Sequence, residues 1–159
     1  MMAAFGLMGR SRRLPLWKKD KKMTSETQHS RGRDHVHSNM AGAYAKFHVP
    51  SAREIDGWLH LTGVIAAQDE GDAPGYIAGF ERAFAQIAEV LAMGGCDWND
   101  VVSITSYHMD IHAELEAMAQ VKDRYCDAAP YPAWSIVGAA HLANPKGFCE
   151  IVVVARCKA

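Results

Sequence analysis

The sequence places a lone carboxylate, Glu150, inside its most apolar run, directly before Ile151 and three valines. Removing an ionised carboxylate from water is costly unless it is paired with a cation, exposed to solvent or used for chemistry. Lys146 and Arg156 are near enough in sequence to pair with it. Glu150 is therefore either half of a structural ion pair or a group that can place a water molecule, and it is our candidate catalytic residue.

Two histidines, His108 and His112, have the four-residue spacing of metal ligands on a helix. They straddle a predicted junction between a strand and a helix, so they need not share a face, and no third ligand is evident beside them. The acids that follow, Glu114, Glu116 and Asp123, fit the solvated face of that helix. We therefore expect no metal ion and no other cofactor.

The four cysteines, Cys96, Cys126, Cys149 and Cys157, contain no Cys-x-x-Cys pair, which argues against a zinc ribbon or a redox dithiol. Their even number leaves a disulfide open. Cys149 and Cys157 lie in an apolar run that resembles a strand, where a free thiol usually serves as a small buried hydrophobe. Cysteines used as free, buried thiols favour a cytoplasmic protein.

Charge is distributed unevenly along the 159 residues. The first 22 residues carry +6 and the remainder carries −7, giving the formal net charge of −1. An acidic folded part offers no surface for gripping a phosphate backbone, so we expect no nucleic-acid partner. No run reaches the roughly 18 apolar residues of a membrane-spanning helix, so we expect no membrane association. Residues 24–42 are polar and without apolar periodicity, which predicts a loose arm.

Hydrophobic periodicity predicts an α+β domain with the element order ββαβαββ. Strands are predicted at 44–49, 58–66, 100–109, 133–142 and 148–157, and helices from an N-cap at Asp72 to a stop at Gly94-Gly95 and over 111–126. Two helices cover only one face of a sheet, whereas residues 151–154 are apolar on both faces of their strand. Because so short a chain has no third layer, self-association through the uncovered face is predicted.

From Gly42 to Lys158 the sequence resembles the Rid superfamily, the YjgF-like proteins. Six landmarks in the family's order carry the resemblance, although none is specific alone. The first three are Gly42-Ala43-Tyr44 at the family's Gly-Pro-Tyr, Leu61-Thr62-Gly63 at its Ser-Gly strand end and 91–96 at its helix end. The others are Asp100-Val101-Val102 before its central strand, Tyr131-Pro132-Ala133-Trp134-Ser135 at its Pro-Ala-Arg-Ser/Thr signature and Cys149-Glu150-Ile151 at its closing Val-Glu-Ile. The stretch 130–138, with Glu150 and 154–156, is most similar to the YjgH branch.

The resemblance implies a chorismate-mutase-like, YjgF-like fold, with a mixed sheet carrying two helices on one face. It also implies a homotrimer with a barrel-like sheet core and small-molecule sites between subunits. Residues 43–159 would form this RidA-like domain, and residues 1–42 a disordered basic and polar N-terminal extension. The expected partners are further copies of the chain and a small-molecule ligand.

In the enamine/imine deaminases of this family, the signature arginine clamps a substrate carboxylate and the last-strand glutamate helps place the attacking water. This sequence keeps the glutamate as Glu150 but has Trp134 in the arginine position. An indole has one N–H donor and no charge, so it cannot replace a guanidinium fork. Losing such a fork in a buried site costs roughly 2 to 5 kcal/mol, enough to remove most affinity for a small anionic substrate.

By the same resemblance, Tyr44, Thr62, Gly63, Trp134 and Ser135 would shape the substrate pocket beside Glu150. Trp134 could stack on a planar or cationic ligand, or be an aromatic of the core or of a subunit interface. Thr62 and Gly63 could present a hydroxyl and a close backbone, or only mark a bend where the strand leaves the sheet.

Three functions remain open. The first is a hydrolase of imine or enamine C–N bonds with altered specificity, acting on a small metabolite without a carboxylate anchor. The second is a binding or sensing protein that uses the same cleft without turnover. The third is a ribonuclease-type activity, against which the acidic folded part argues.

Overall fold

A computed structural model describes residues 32–157. These residues form three helices and a seven-stranded sheet. In chain order the elements are β1 (Arg33–His35), α1 (Ala41–Phe47), β2 (Ala52–Ile55), β3 (Trp58–Leu61), β4 (Val64–Ala67), α2 (Ile77–Met93), β5 (Val101–His108), α3 (Ile111–Lys122), β6 (Ala133–Gly138) and β7 (Gly147–Arg156). Short 3-10 turns precede α1 and β5.

The sheet is mixed, with the strand order β1-β2-β3-β7-β5-β6, and β4 also pairs with β7. Only β5 and β6 run parallel to each other, and the other pairs are antiparallel. The central strand β7 pairs with β3 near its end and with β4 near its start. β3 and β4 therefore lie beside β7 like one strand that is interrupted between them. This α+β architecture agrees with the prediction.

The alternation of β7 separates the two faces of the sheet. Cys149, Ile151 and Val153 are fully buried beneath α2 and α3. Glu150 and Val152 point the other way and are only half-buried. We call this second side, which α2 and α3 leave uncovered, the open face.

The long helix α2 follows its predicted apolar pattern. Phe80, Phe84 and Ile87 are fully buried against the sheet, and the helix ends at Met93 before Gly94, as the glycine pair predicts. The predicted N-cap at Asp72 is wrong, because α2 begins at Ile77 and Asp72 instead binds the Arg82 side chain. No helix in the described part of the chain is long and apolar enough to span a bilayer.

The predicted strand at 44–49 is wrong, because α1 occupies Ala41–Phe47. Three alanines favour helix there, and His48 ends it in a left-handed conformation two residues before Pro50. The predicted strand at 58–66 is broken into β3 and β4 at Thr62-Gly63. The backbone therefore bends at these two residues, as one of the two interpretations of Thr62 and Gly63 predicted.

The structured region begins earlier than the predicted boundary at residue 42. β1 pairs with β2, and His35 is buried with its Nε2 2.8 Å from Glu54 Oε2. The prediction of a loose arm is therefore wrong for residues 33–42, which lack apolar periodicity because a short edge strand needs little of it. The rest of the predicted extension, residues 1–31, lies outside the described residues.

Cys96 and Cys157 form a disulfide that ties the turn after α2 to the end of β7. The prediction of a free thiol is therefore wrong for Cys157, whereas Cys149 is free and buried as expected. Cys126 is also free and buried. The cytoplasmic location, which was inferred partly from free thiols, stays a prediction.

Candidate functional site

Glu150 lies near the centre of the open face. It is opposite Ile65 of β4 on one side and Tyr107 of β5 on the other. Its carboxylate has no hydrogen bond or ion pair with any described residue. The proposed partner Arg156 instead bonds to the Asp56 carbonyl, so the structural ion-pair alternative for that residue is wrong. Glu150 is thus a half-buried carboxylate available to a ligand.

Gly63 provides the space in which the Glu150 side chain lies. A Cβ built on Gly63 would come within 2.6 Å of both Cγ and Cδ of Glu150. The bend between β3 and β4 therefore brings bare backbone directly against the carboxylate. The structure places these two predicted site residues together.

A shallow groove of about 360 Å³ opens beside Glu150. Its sheet side consists of Tyr107, Glu150 and Val152, and its other side is the segment 139–143 after β6, including His141 and Leu142. Sequence reasoning missed Tyr107 and His141. The alternation of β5 could have indicated Tyr107, but only the path of the loop brings His141 to the groove.

The other predicted residues are spread over the molecule. The Tyr44 hydroxyl donates to Asp34 Oδ2 at 3.2 Å, and no described contact joins it to Glu150. The Thr62 hydroxyl donates to the Pro50 carbonyl at 2.6 Å, so it is left only as an acceptor for a ligand. Ser135 pairs with Thr105 and is exposed on the open face.

Trp134 lies on the helix-covered side of the sheet, opposite to Glu150. Its Nε1–H donates to Ser106 Oγ at 2.9 Å, and the Lys122 ammonium lies 5.5 Å from the centre of its indole. Trp134 and Glu150 of one protomer therefore cannot line one pocket. They could meet in a site only if two protomers contribute to it.

Ser106 belongs to a fully buried polar network. His108 Nε2 lies 2.9 Å from Ser106 Oγ, and His108 Nδ1 lies 2.9 Å from Glu114 Oε2. The Asp110 backbone N–H donates to Glu114 Oε1 at 2.8 Å. One direction of donation satisfies every atom: Trp134 to Ser106, the serine hydroxyl to the histidine, and the histidine to the carboxylate.

This network corrects the prediction that Glu114 belongs to a solvated helix face, since the residue is 1% exposed. It also supplies the neighbours of His108 that the sequence did not reveal. One ligand atom each of His108, Glu114 and Cys149 lie within 4.8 Å of one another, a grouping that can hold a metal ion. His112 is exposed and is not in this group.

Burial raises the pKa of two groups in this region, Glu114 and Cys149. Desolvation raises the pKa of Glu114 above its ordinary value, although the Asp110 backbone N–H and the His108 ring act to lower it. Burial also raises the pKa of the Cys149 thiol, and the nearby carboxylates of Glu114 and Glu150 add to this effect. Cys149 is accordingly a poor nucleophile.

The mixed sheet and the glutamate on its last strand match the class of protein that the sequence resembles, the YjgF-like proteins. The Endoribonuclease L-PSP family matches residues 38–157, and the chain belongs to this family, which includes the Rid or YjgF-like proteins. The resemblance seen in the sequence is thereby confirmed.

Among its relatives, the chain is similar to the RutC family protein YjgH of Escherichia coli (strain K12). The two are 32% identical over 115 residues, which is 71% of this chain and 86% of YjgH. A solved structure of protein YJGH superposes with a TM-score of 0.69 at 27% identity, covering 82% of this chain and 99% of the other. Rv2704 of Mycobacterium tuberculosis, at 21% identity and a TM-score of 0.65, covers 77% of this chain and 97% of its own and shows the same fold.

Proposed function

We propose that the chain forms a homotrimer and hydrolyses a small imine or enamine at clefts between its subunits, with Glu150 placing the water. The observation that carries this proposal is the half-buried carboxylate of Glu150, which has no partner among the described residues and lies beside the bare backbone of Gly63. Membership of the Rid family supports the reaction class, and the changed residue at 134 supports an altered specificity.

The open face supports the trimer. Besides Glu150 it presents apolar side chains, among which Trp58, Tyr107 and Val137 are each 36 to 40% exposed. Covering them with further copies of the chain would remove apolar surface from water and enclose the groove. Light scattering of the full chain should give three times its 17.4 kDa mass. Val154→Arg, placed on this face, should lower the mass, and a monomeric parent would contradict the assembly.

The chemistry requires one carboxylate. On an imine, or on an enamine after its tautomerisation to an imine, Glu150 accepts a proton from water as the oxygen bonds to the C=N carbon and passes that proton to the nitrogen. The resulting amino alcohol then breaks its C–N bond, releasing ammonia or an amine and leaving a carbonyl. One water is consumed for each C=N bond that is hydrolysed, so no oxidant or cofactor is required.

The experiment is a steady-state assay of ammonia or aldehyde release over neutral, cationic and anionic imines. Glu150→Gln should lower the rate on the best substrate about 100-fold or more, the usual contribution of a general base. Glu116→Gln, an isosteric change on the exposed face of α3, should leave it unchanged. Background rates on every substrate, or equal rates for parent and Glu150→Gln, would contradict the proposal.

A non-catalytic binding protein is the second candidate, and the placement of Trp134 favours it. The indole carries no charge and its one N–H already donates to Ser106, so Trp134 cannot replace the charge or the donors of an arginine. In this case ligands should raise the melting temperature without any turnover. We do not propose a ribonuclease, because the groove contains a carboxylate and no described lysine or arginine.

A further inference from the structure

The groove beside Glu150 is unusual in its charge. Its lining has one carboxylate, one phenol and one imidazole, and the rest is apolar. No described lysine or arginine lines it. A ligand entering the groove of one protomer therefore meets a carboxylate that no described lysine or arginine of the same protomer accompanies.

The cations elsewhere on the open face are already engaged. Arg53 Nη1 donates to Asp34 Oδ1 at 2.8 Å. Arg156 bonds to the Asp56 carbonyl, and its guanidinium lies 5.2 Å from the centre of the Trp58 ring. Neither is available to hold an anionic ligand without losing these contacts. Lys146, in the loop before β7, has no side-chain partner among the described residues and is a cation that could serve an anion.

A positively charged nitrogen matches this lining better than a carboxylate does. The ammonium or iminium N–H would donate a charge-assisted hydrogen bond to Glu150, and its charge would be attracted by the face of the Tyr107 ring. A carboxylate would instead face Glu150 across the groove, and like charges that close cost free energy. The groove therefore discriminates by the sign of the ligand charge.

We propose that the groove binds a small organic cation, a protonated amine or an iminium ion that lacks a carboxylate. This inference deepens the proposed function, because an iminium carbon is more electrophilic than that of a neutral imine. The carboxylate that attracts the cation is then also positioned to deliver water to its carbon. Glu150 and Tyr107 would set specificity, with His141 at the rim.

The test uses three probes of similar size: pyrrolidine as a cation, cyclopentanol as a neutral ligand and cyclopentanecarboxylate as an anion. Their affinities for the full-length chain are measured by calorimetry or chemical-shift titration at neutral pH. Pyrrolidine should bind about 10-fold or more tightly than the carboxylate, and its affinity should fall with added salt. Glu150→Gln should weaken pyrrolidine about 10-fold and leave cyclopentanol unchanged. Glu116→Gln, the matched control, should change neither.

Three results would overturn the inference: equal or tighter binding of the carboxylate, pyrrolidine affinity that does not depend on Glu150, or no binding of any probe. Loss of carboxylate binding in Lys146→Ala would identify the loop as the anion site instead. The outcomes separate the inference from the proposed function. Glu150-dependent pyrrolidine binding without imine turnover would contradict only the function, whereas turnover that favours anionic imines would contradict only the charge preference.

Discussion

Gly63 and Glu150 lie so close that the space a Cβ on Gly63 would need is filled by the Glu150 side chain, with Cγ and Cδ at 2.6 Å. The close approach arises because the chain bends between β3 and β4 while both strands pair with β7. Gly63 thereby fixes where the candidate catalytic carboxylate can lie.

Gly63→Ala should push the Glu150 side chain aside and lower any Glu150-dependent rate by about 100-fold, the size of effect expected from a displacement near 1 Å. The free energy of unfolding should fall by only about 1 kcal/mol, because a flexible side chain can move. The measurements are the imine assay and denaturant unfolding. Gly42→Ala, which meets nothing within 4 Å, is the control and should stabilise α1 by about 0.5 to 1 kcal/mol. Unchanged activity in Gly63→Ala would show that the carboxylate position does not matter.

Ser106→Ala should lower the free energy of unfolding by about 1 to 3 kcal/mol, because it leaves the half-buried Trp134 N–H without its acceptor and the buried His108 Nε2 with only the Cys149 thiol, 3.8 Å away. In a Trp134→Phe background the same change should cost at least about 0.5 kcal/mol less. Urea unfolding of the four proteins of this cycle measures the difference. Ser103→Ala, on the open face of the same strand, should stay within about 0.5 kcal/mol of the parent. Additive losses would argue against the Ser106 to Trp134 hydrogen bond.

Asp72 should give the stability a defined acid dependence. Two hydrogen bonds from Arg82 and one from the Asp69 backbone N–H lower its pKa from 3.8 to about 2. Because the folded-state pKa is the lower one, the stabilisation is present above pH 3.8 and is lost as the pH falls towards 2. The difference in unfolding free energy between parent and Asp72→Asn should therefore be constant above about pH 5 and shrink below it. Arg82→Gln should narrow this pH window, because only the Asp69 backbone N–H then lowers the pKa of Asp72, and an unchanged window would refute the assignment.

Cys157→Ser should lower the free energy of unfolding by about 2 to 4 kcal/mol, because the Cys96 to Cys157 disulfide closes a long loop with a sequence separation of 61. Dithiothreitol should destabilise the parent by a similar amount and leave the variant unaffected. Unfolding curves with and without reductant provide both measurements. Equal stability of the oxidised parent and the variant would contradict the contribution of this disulfide.

How far the sequence predicts this molecule is clearest from a comparison of α2 with β1. The apolar spacing of Phe80, Phe84 and Ile87 is a local property, so the sequence predicts α2 and the α+β class. The pairing of β1 with β2 is not local. It depends on contacts such as that of His35 with Glu54, which no periodicity in residues 33–35 indicates.

The sequence by itself determined the family and the candidate Glu150, because both depend on residue identity in order along the chain. Only the tertiary structure decided what surrounds these residues. It placed Trp134 and Glu150 on opposite faces of the sheet, buried Glu114 against His108, and brought His141 to the groove beside Tyr107. The physical reason is that strand register and the path of a loop fix contacts between residues far apart in sequence, and neither leaves a periodic signal in the chain.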